Sequence, residues 1–386
     1  MRAAGWMTLS LLAGFAIQAA DGPRGPAGFD RTLPEGIYRV TVDFGGDDID
    51  SVTSCKGEAR RLYALDVRVP KGATARRTFL VDTHRPEFPG GRVGLKPREV
   101  GSASWDDRLT LEFLGPQARV RNVVVEPLPA AAPRTRIFLA GDSTVTDQPR
   151  EPYSGWGQML PVFFGPDAVV ANHAESGLAL ASFRGSRRLE KILSQLRPSD
   201  FVLIQFGHND QKDVRVEAGA FAGYTTALVE FIEAIRSRDG RPVLVTSVAR
   251  RRFDDAGQVV ESLGDYPDAV RRVALEHRVP LVDLNAMSKR LYQALGREGS
   301  KAAFLHVPAN TYPGQSEPLH DDTHFSSYGG YELARCVVEG IRAGVPELAT
   351  QLASDVEPFD PSRPDPPAAF AIPASPLEPL SLPDGR

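Results

Sequence analysis

Two hydrophobic periods divide the chain. Between residues 34 and 127 apolar and polar positions alternate in short runs: GIYRVTVDFG, RLYALDVRVP, RRTFLVDTH, DRLTLEFLG and RVRNVVVEPL. These runs are rich in β-branched and aromatic residues, and Gly, Pro and Asp clusters separate them. That pattern predicts a small all-β sandwich. A Pro- and Ala-rich stretch, 128–135, reads as a linker. From 136 to 350 the period changes. RIFLAG, AVVANH, DFVLIQFG, RPVLVTSV and VPLVDLN are continuous apolar runs, as parallel strands buried on both faces require. Helical repeats alternate with them, in SRRLEKILSQL, YTTALVEFIEAIRSRDG, YPDAVRRVALEHR and SYGGYELARCVVEGIRAG. The expected fold is therefore α/β: a doubly wound parallel five-stranded sheet preceded by the small sandwich. Residues 355–386 are proline-rich and aperiodic, and read as an extended tail.

The first twenty residues follow a third pattern. Arg2 precedes WMTLSLLAGFAI, an apolar stretch too short to span a bilayer, and small residues follow it. This reads as a signal peptide cleaved near Ala19 or Ala20. The mature chain is expected to be exported, periplasmic or secreted, with no membrane association after cleavage. A net charge of -4 offers no basic surface for nucleic acid. Two distant cysteines, Cys55 and Cys336, exclude a disulfide scaffold and any CxxC metal site. The acidic DFGGDDID (43–50) matches no defined calcium-loop spacing.

In doubly wound sheets, ligands bind at the carboxyl ends of the strands. Chemistry-bearing residues collect at those ends. IFLAGDSTVTDQ (137–148) runs an apolar strand into a turn that presents Ser143. NHAESG ends the next strand at Gly177, and FGHND (206–210) follows the third. HDDTHFSSYGG lies before the last helix. Acyl transfer needs a nucleophile, a base, a carboxylate that fixes the base's tautomer, and donors for the oxyanion. Ser143, His324 and Asp321 can fill the first three roles. The N–H groups of Ser143 and Gly177 and the amide of Asn209 can form the oxyanion hole. Each piece also has a plain reading. Ser143 and Thr144 could cap a helix. FGHND could be a turn, with Asp210 capping the helix after it. His320 and His324, four apart beside two carboxylates, could be metal ligands, although no third ligand is evident.

The ordered set Ser143, Gly177, Asn209 and His324, with Asp321 three residues before His324, resembles the SGNH, or GDSL-like, hydrolase superfamily. The resemblance covers about residues 135–345. AGDST, GWGQMLP (155–161), FGHND and DDTHFSSYG look most like the rhamnogalacturonan acetylesterases. It implies a flavodoxin-like SGNH sheet and a serine esterase that uses no metal or other cofactor and removes acetyl groups from pectin. It also suits a galactose-binding-like sandwich at 34–127. Leu178 and Ala179 follow Gly177 where many relatives have Arg and Ser.

The expected partner is an acetylated polysaccharide or oligosaccharide. Trp156 could stack on a sugar or anchor its helix. Arg184, in FRGSRR, could hold a galacturonate carboxylate, and His208 could touch substrate or pack beneath its loop. Trp105 could be a glycan platform or a core residue. Acetylated xylan, a lipid or a thioester are alternative substrates. A catalytically inactive glycan-binding protein is the alternative from another class.

Overall fold

The computed structural model describes residues 17–18, 28–132 and 134–375. Most of the expected signal peptide, its cleavage site and the last eleven residues of the tail lie outside them. No helix among the described residues is long and apolar enough to cross a membrane.

The N-terminal half is a sandwich of two antiparallel sheets. One orders β7 (Val120–Pro127), β2 (Gly36–Phe44) and β5 (Ala75–Thr83), with Ile17–Gln18 paired outside β7. The other orders β1 (Phe29–Thr32), β6 (Arg108–Gln117), β3 (Ser51–Gly57) and β4 (Arg61–Val69). Alternate side chains from both sheets meet in one core, where Phe44 packs edge-on against Phe113 and Tyr63 stacks on Phe79. The hydrophobic pattern misses β1 and β3. The sequence of β3, SVTSCKG, shows no apolar alternation because its buried positions include Ser51, Thr53, Ser54 and Lys56. Cys55 and Cys336 are free and buried. In the acidic loop, Arg121 and Arg119 pair with Asp47 and Asp48.

The second half is a five-stranded parallel sheet in the order β9 (Ala168–Asn172), β8 (Thr135–Gly141), β10 (Phe201–Gln205), β11 (Arg241–Val245) and β12 (Leu281–Val282). This 2-1-3-4-5 order is that of flavodoxin-like folds. Successive residues of β8 face opposite layers. Ile137 and Leu139 pack with α1 (Trp156–Met159), α6 (Leu284–Gly299) and α7 (Ser327–Gly344). Phe138 and Ala140 pack with α2 (Leu180–Gly185), α3 (Arg188–Gln195), α4 (Thr225–Arg236) and α5 (Tyr266–Glu276). A hairpin of β13 (Phe304–Val307) and β14 (Leu319–Phe325) precedes α7.

The sandwich docks beside edge strand β9, where Ile37 and Leu80 touch Val169. Leu62 of β4 also joins the core of the α/β half, and around these apolar contacts the seam is charged. Lys56 and Arg60 pair with Glu151, Arg61 with Asp147, Arg136 with Asp82, Arg188 with Glu99, and Lys191 with Glu35. The proline-rich tail returns along α7 to the sandwich. Arg335 donates to Asp365, and the Ser375 hydroxyl donates to Glu112 on β6.

Candidate active site

Ser143 sits on the turn that ends β8. The turn is held from within: Asp142 Oδ1 accepts from Thr144 N at 3.0 Å and from Thr144 Oγ1 at 2.7 Å. It is also held from α1. Trp156 N donates to Thr144 O, and its Nε1 donates to Gln205 Oε1 at 2.8 Å, while Gln205 Nε2 donates to Thr144 Oγ1. Helix α1 begins well downstream, at Trp156, so Ser143 caps nothing.

The Ser143 hydroxyl meets His324. His324 Nε2 stands 2.9 Å from Ser143 Oγ, and His324 Nδ1 stands 2.7 Å from Asp321 Oδ2. With Nδ1–H donated to the carboxylate, the neutral imidazole leaves Nε2 as an acceptor for the hydroxyl proton. A regular strand would point residues 321 and 324 to opposite faces. Here β14 bulges: Leu305 pairs with Asp321 and Phe304 with Phe325, so residues 322–324 loop out. Asp321 Oδ1 accepts from Thr323 N and His324 N within the bulge. Burial raises the Asp321 pKa, but the His324 ring and these two N–H groups outweigh it and hold the carboxyl below its ordinary value. Asp322 turns away to His306 and Arg251. The two motif histidines also part: His320 lies against His306, whereas His324 faces the serine.

Gly177 and Asn209 close the site from neighbouring strand ends. Gly177 has φ +77°, the left-handed region that favours glycine. Among the described residues, neither the Gly177 nor the Ser143 backbone N–H donates to a protein acceptor. Asn209 Nδ2 donates to Leu178 O at 3.1 Å, which ties the two loops together and leaves a second amide hydrogen. Asp210 does not cap the helix after it. Its Oδ1 accepts from Leu180 N at the start of α2, and burial pushes its carboxyl up to about 6.

The expected sugar contacts are revised. Trp156 is fully buried and supports the turn that carries Ser143, so no sugar can stack on it. Arg184 is exposed on α2 and pairs with Glu230 of α4. His208 is buried beneath the turn, with Nδ1 3.3 Å from Asp142 Oδ2. Trp105 is buried at the seam, donating to Glu99 Oε1 and lying under Arg188.

Other residues reach the site without having been singled out in the sequence. Gln148 Nε2 donates to Ser143 O at 2.9 Å and to Ser176 Oγ at 3.2 Å. The Tyr153 ring is 5.5 Å from the His324 ring. Arg250, past the carboxyl end of β11, donates to Thr323 Oγ1 and Ser262 O. A cation at a strand end was a usable signal for Arg250. Gln148 stands five residues after the serine, with no pattern to mark it.

The GDSL-like Lipase/Acylhydrolase family model matches residues 139–329. The chain is 42% identical over 208 residues to the rhamnogalacturonan acetylesterase RhgT of Bacillus subtilis (strain 168), covering 53% of this chain and 89% of that protein. It is 33% identical over 209 residues to YesY of the same organism, named a probable rhamnogalacturonan acetylesterase (53% and 92% covered). A third match, to the Bacillus subtilis uncharacterized esterase YxiM, is 25% identical over 322 residues and takes in 81% of this chain and 74% of that one. The chain thus belongs to the GDSL-like, SGNH hydrolase family, on its rhamnogalacturonan acetylesterase-like branch, and is a carboxylic ester hydrolase.

Proposed function

We propose that this hydrolase is a serine acetylesterase that removes acetyl groups from a plant cell-wall polysaccharide, acetylated rhamnogalacturonan foremost. The observation that carries the reading is the unbroken relay from Asp321 through His324 to Ser143, at 2.7 Å and 2.9 Å. Ser143 Oγ attacks the acetyl carbonyl carbon as His324 Nε2 takes its proton. The N–H groups of Ser143 and Gly177 and the Asn209 amide hold the oxyanion, each donor contributing about 3 kcal/mol to the transition state. The tetrahedral intermediate collapses. The sugar oxygen leaves with the proton from His324, and an acetyl-enzyme remains. Water, deprotonated by His324, then releases acetate and restores the serine.

The names of the 42% and 33% identical relatives support the pectin substrate. The N-terminal pattern of Arg2, an apolar stretch and small residues supports export of the enzyme. Leu178 and Ala179 after Gly177 favour a second reading, acetylated xylan or another carbohydrate ester handled by the same mechanism.

The test is acetate release from acetylated rhamnogalacturonan, acetylated xylan and p-nitrophenyl acetate by the wild type and Ser143→Ala. Serine-dependent release, fastest on rhamnogalacturonan, is expected. Normal turnover by Ser143→Ala overturns the mechanism, and faster release from xylan overturns the pectin assignment.

A further inference from the structure

A cleft of about 310 Å³ opens beside the relay, and both halves of the protein wall it. Arg98 and Trp105, from the segment between β5 and β6, face Gln148, Tyr153 and Ser176 of the α/β half. Gln148 is bonded to the Ser143 carbonyl and Tyr153 lies against the His324 ring, so a group in this cleft is a neighbour of the reacting ester.

The charges around the cleft do not balance. Three carboxylates line it, and each has its own arginine. Glu99 accepts from Arg188 at 2.6 Å on both oxygens, Asp147 from Arg61 at 2.6 Å, and Glu175 from Arg98 Nε at 2.8 Å. Lys96 is different. Among the described residues its ammonium donates only to a neutral acceptor, the Ser176 carbonyl, which it shares with Arg98 Nη2. The ammonium hangs over the oxyanion-hole glycine: a Cβ on Gly177 would lie 3.3 Å from Lys96 Nζ. Two of its three N–H groups remain for a ligand. Partial burial lowers the Lys96 pKa, so the charged form gains from an arriving anion.

We propose that Lys96, with Arg98 beside it, is a subsite for the carboxylate of a uronic acid residue of the acetylated glycan, so that the sandwich supplies the preference for an acidic glycan. This rests on the acetylesterase reading and names the feature of the substrate that the site selects. A neutral xylan chain offers no such group.

The experiment compares kcat/KM for acetylated oligogalacturonides with kcat/KM for acetylated xylo-oligosaccharides of equal length. In Lys96→Gln the acidic-to-neutral ratio falls about tenfold, mainly through KM, and Lys96→Arg restores most of it. In the wild type the same ratio falls as NaCl rises from about 50 mM to about 500 mM. An unchanged ratio in Lys96→Gln, or equal losses on both esters, overturns the subsite. A second measurement needs no turnover: calorimetric titration of Ser143→Ala with trigalacturonate. About tenfold weaker binding when Lys96→Gln is added supports the subsite, and equal binding overturns it. Absence of acetate release from every ester would defeat the esterase reading and leave this binding test standing.

Discussion

Arg61 Nε donates to Asp147 Oδ2 at 2.6 Å, and both side chains are almost sealed from water. One belongs to the sandwich and the other to the loop that follows Ser143. Asp147 Oδ1 also accepts from Asn172 Nδ2, and the neighbouring Arg60 donates from Nη1 to the carbonyls of Gln148 and Tyr153. The turn between β3 and β4 thus grips the loop that supports Ser143. Removing one member of a buried pair leaves an uncompensated charge, so Arg61→Ala should lower stability by about 3–5 kcal/mol. Urea unfolding monitored by tryptophan fluorescence checks this. A loss under about 1 kcal/mol would mean that water reaches the pair.

Asp321 and Asp322 are adjacent in sequence and differ in partner. Asp321→Asn removes the carboxylate that fixes the His324 tautomer, and kcat should fall by about 10³ to 10⁴. Asp322→Asn loosens only its contacts with His306 and Arg251 and should leave kcat within about threefold. Steady-state rates on p-nitrophenyl acetate distinguish the two. Reversed sensitivities would reassign the carboxylate.

Asn209 is expected to act on the transition state more than on the bound ester. Asn209→Ala should lower kcat by about 10² to 10³ while KM moves little. It also removes the bond to Leu178 O, so a thermal melt should accompany the kinetics. A change confined to KM would place Asn209 in ground-state binding.

His173 stacks on His84 at 4.5 Å in the seam, fully buried. Burial, then the neighbouring His84, pushes its pKa well below the ordinary 6.5. The folded protein therefore refuses a proton that the unfolded chain accepts below that value. The His173 contribution is lost as pH falls through 6.5, by up to about 1.4 kcal/mol per pH unit. Several buried carboxyls are shifted upward and change stability in the opposite sense, so the informative quantity is a difference. His173→Leu should gain on the wild type by about 1 kcal/mol between pH 6.5 and 5.5 in denaturant titrations. A constant difference would contradict the burial argument.

The sheet and the relay were legible because their signals are local. Apolar runs mark β8 to β12, and Ser143, Gly177 and Asn209 each lie beyond a strand end, while His324 lies in the bulge of β14. Asp321 was legible by spacing alone, although the bulge that turns it toward His324 was not. Trp156 misled because an indole beside a site looks the same in sequence whether it faces sugar or core. Lys56, Arg60, Arg61 and Lys96 were invisible for a different reason. Their partners lie 80 or more residues away, and burial of charge in the seam breaks the hydrophobic alternation by which β3 would have been read.

The charged seam runs in both directions. Lys56, Arg60 and Arg61 of the sandwich face acids of the α/β half, while Glu35, Asp82 and Glu99 of the sandwich face Lys191, Arg136 and Arg188. Neither surface is uniformly positive or negative, so no generic attraction substitutes for the pairing. The seam acts as a matched code between modules. A chimera that joins this α/β half to a foreign sandwich strands several buried charges at once, each without its counterion. Recombination can exchange these two modules only when both sides of the code travel together.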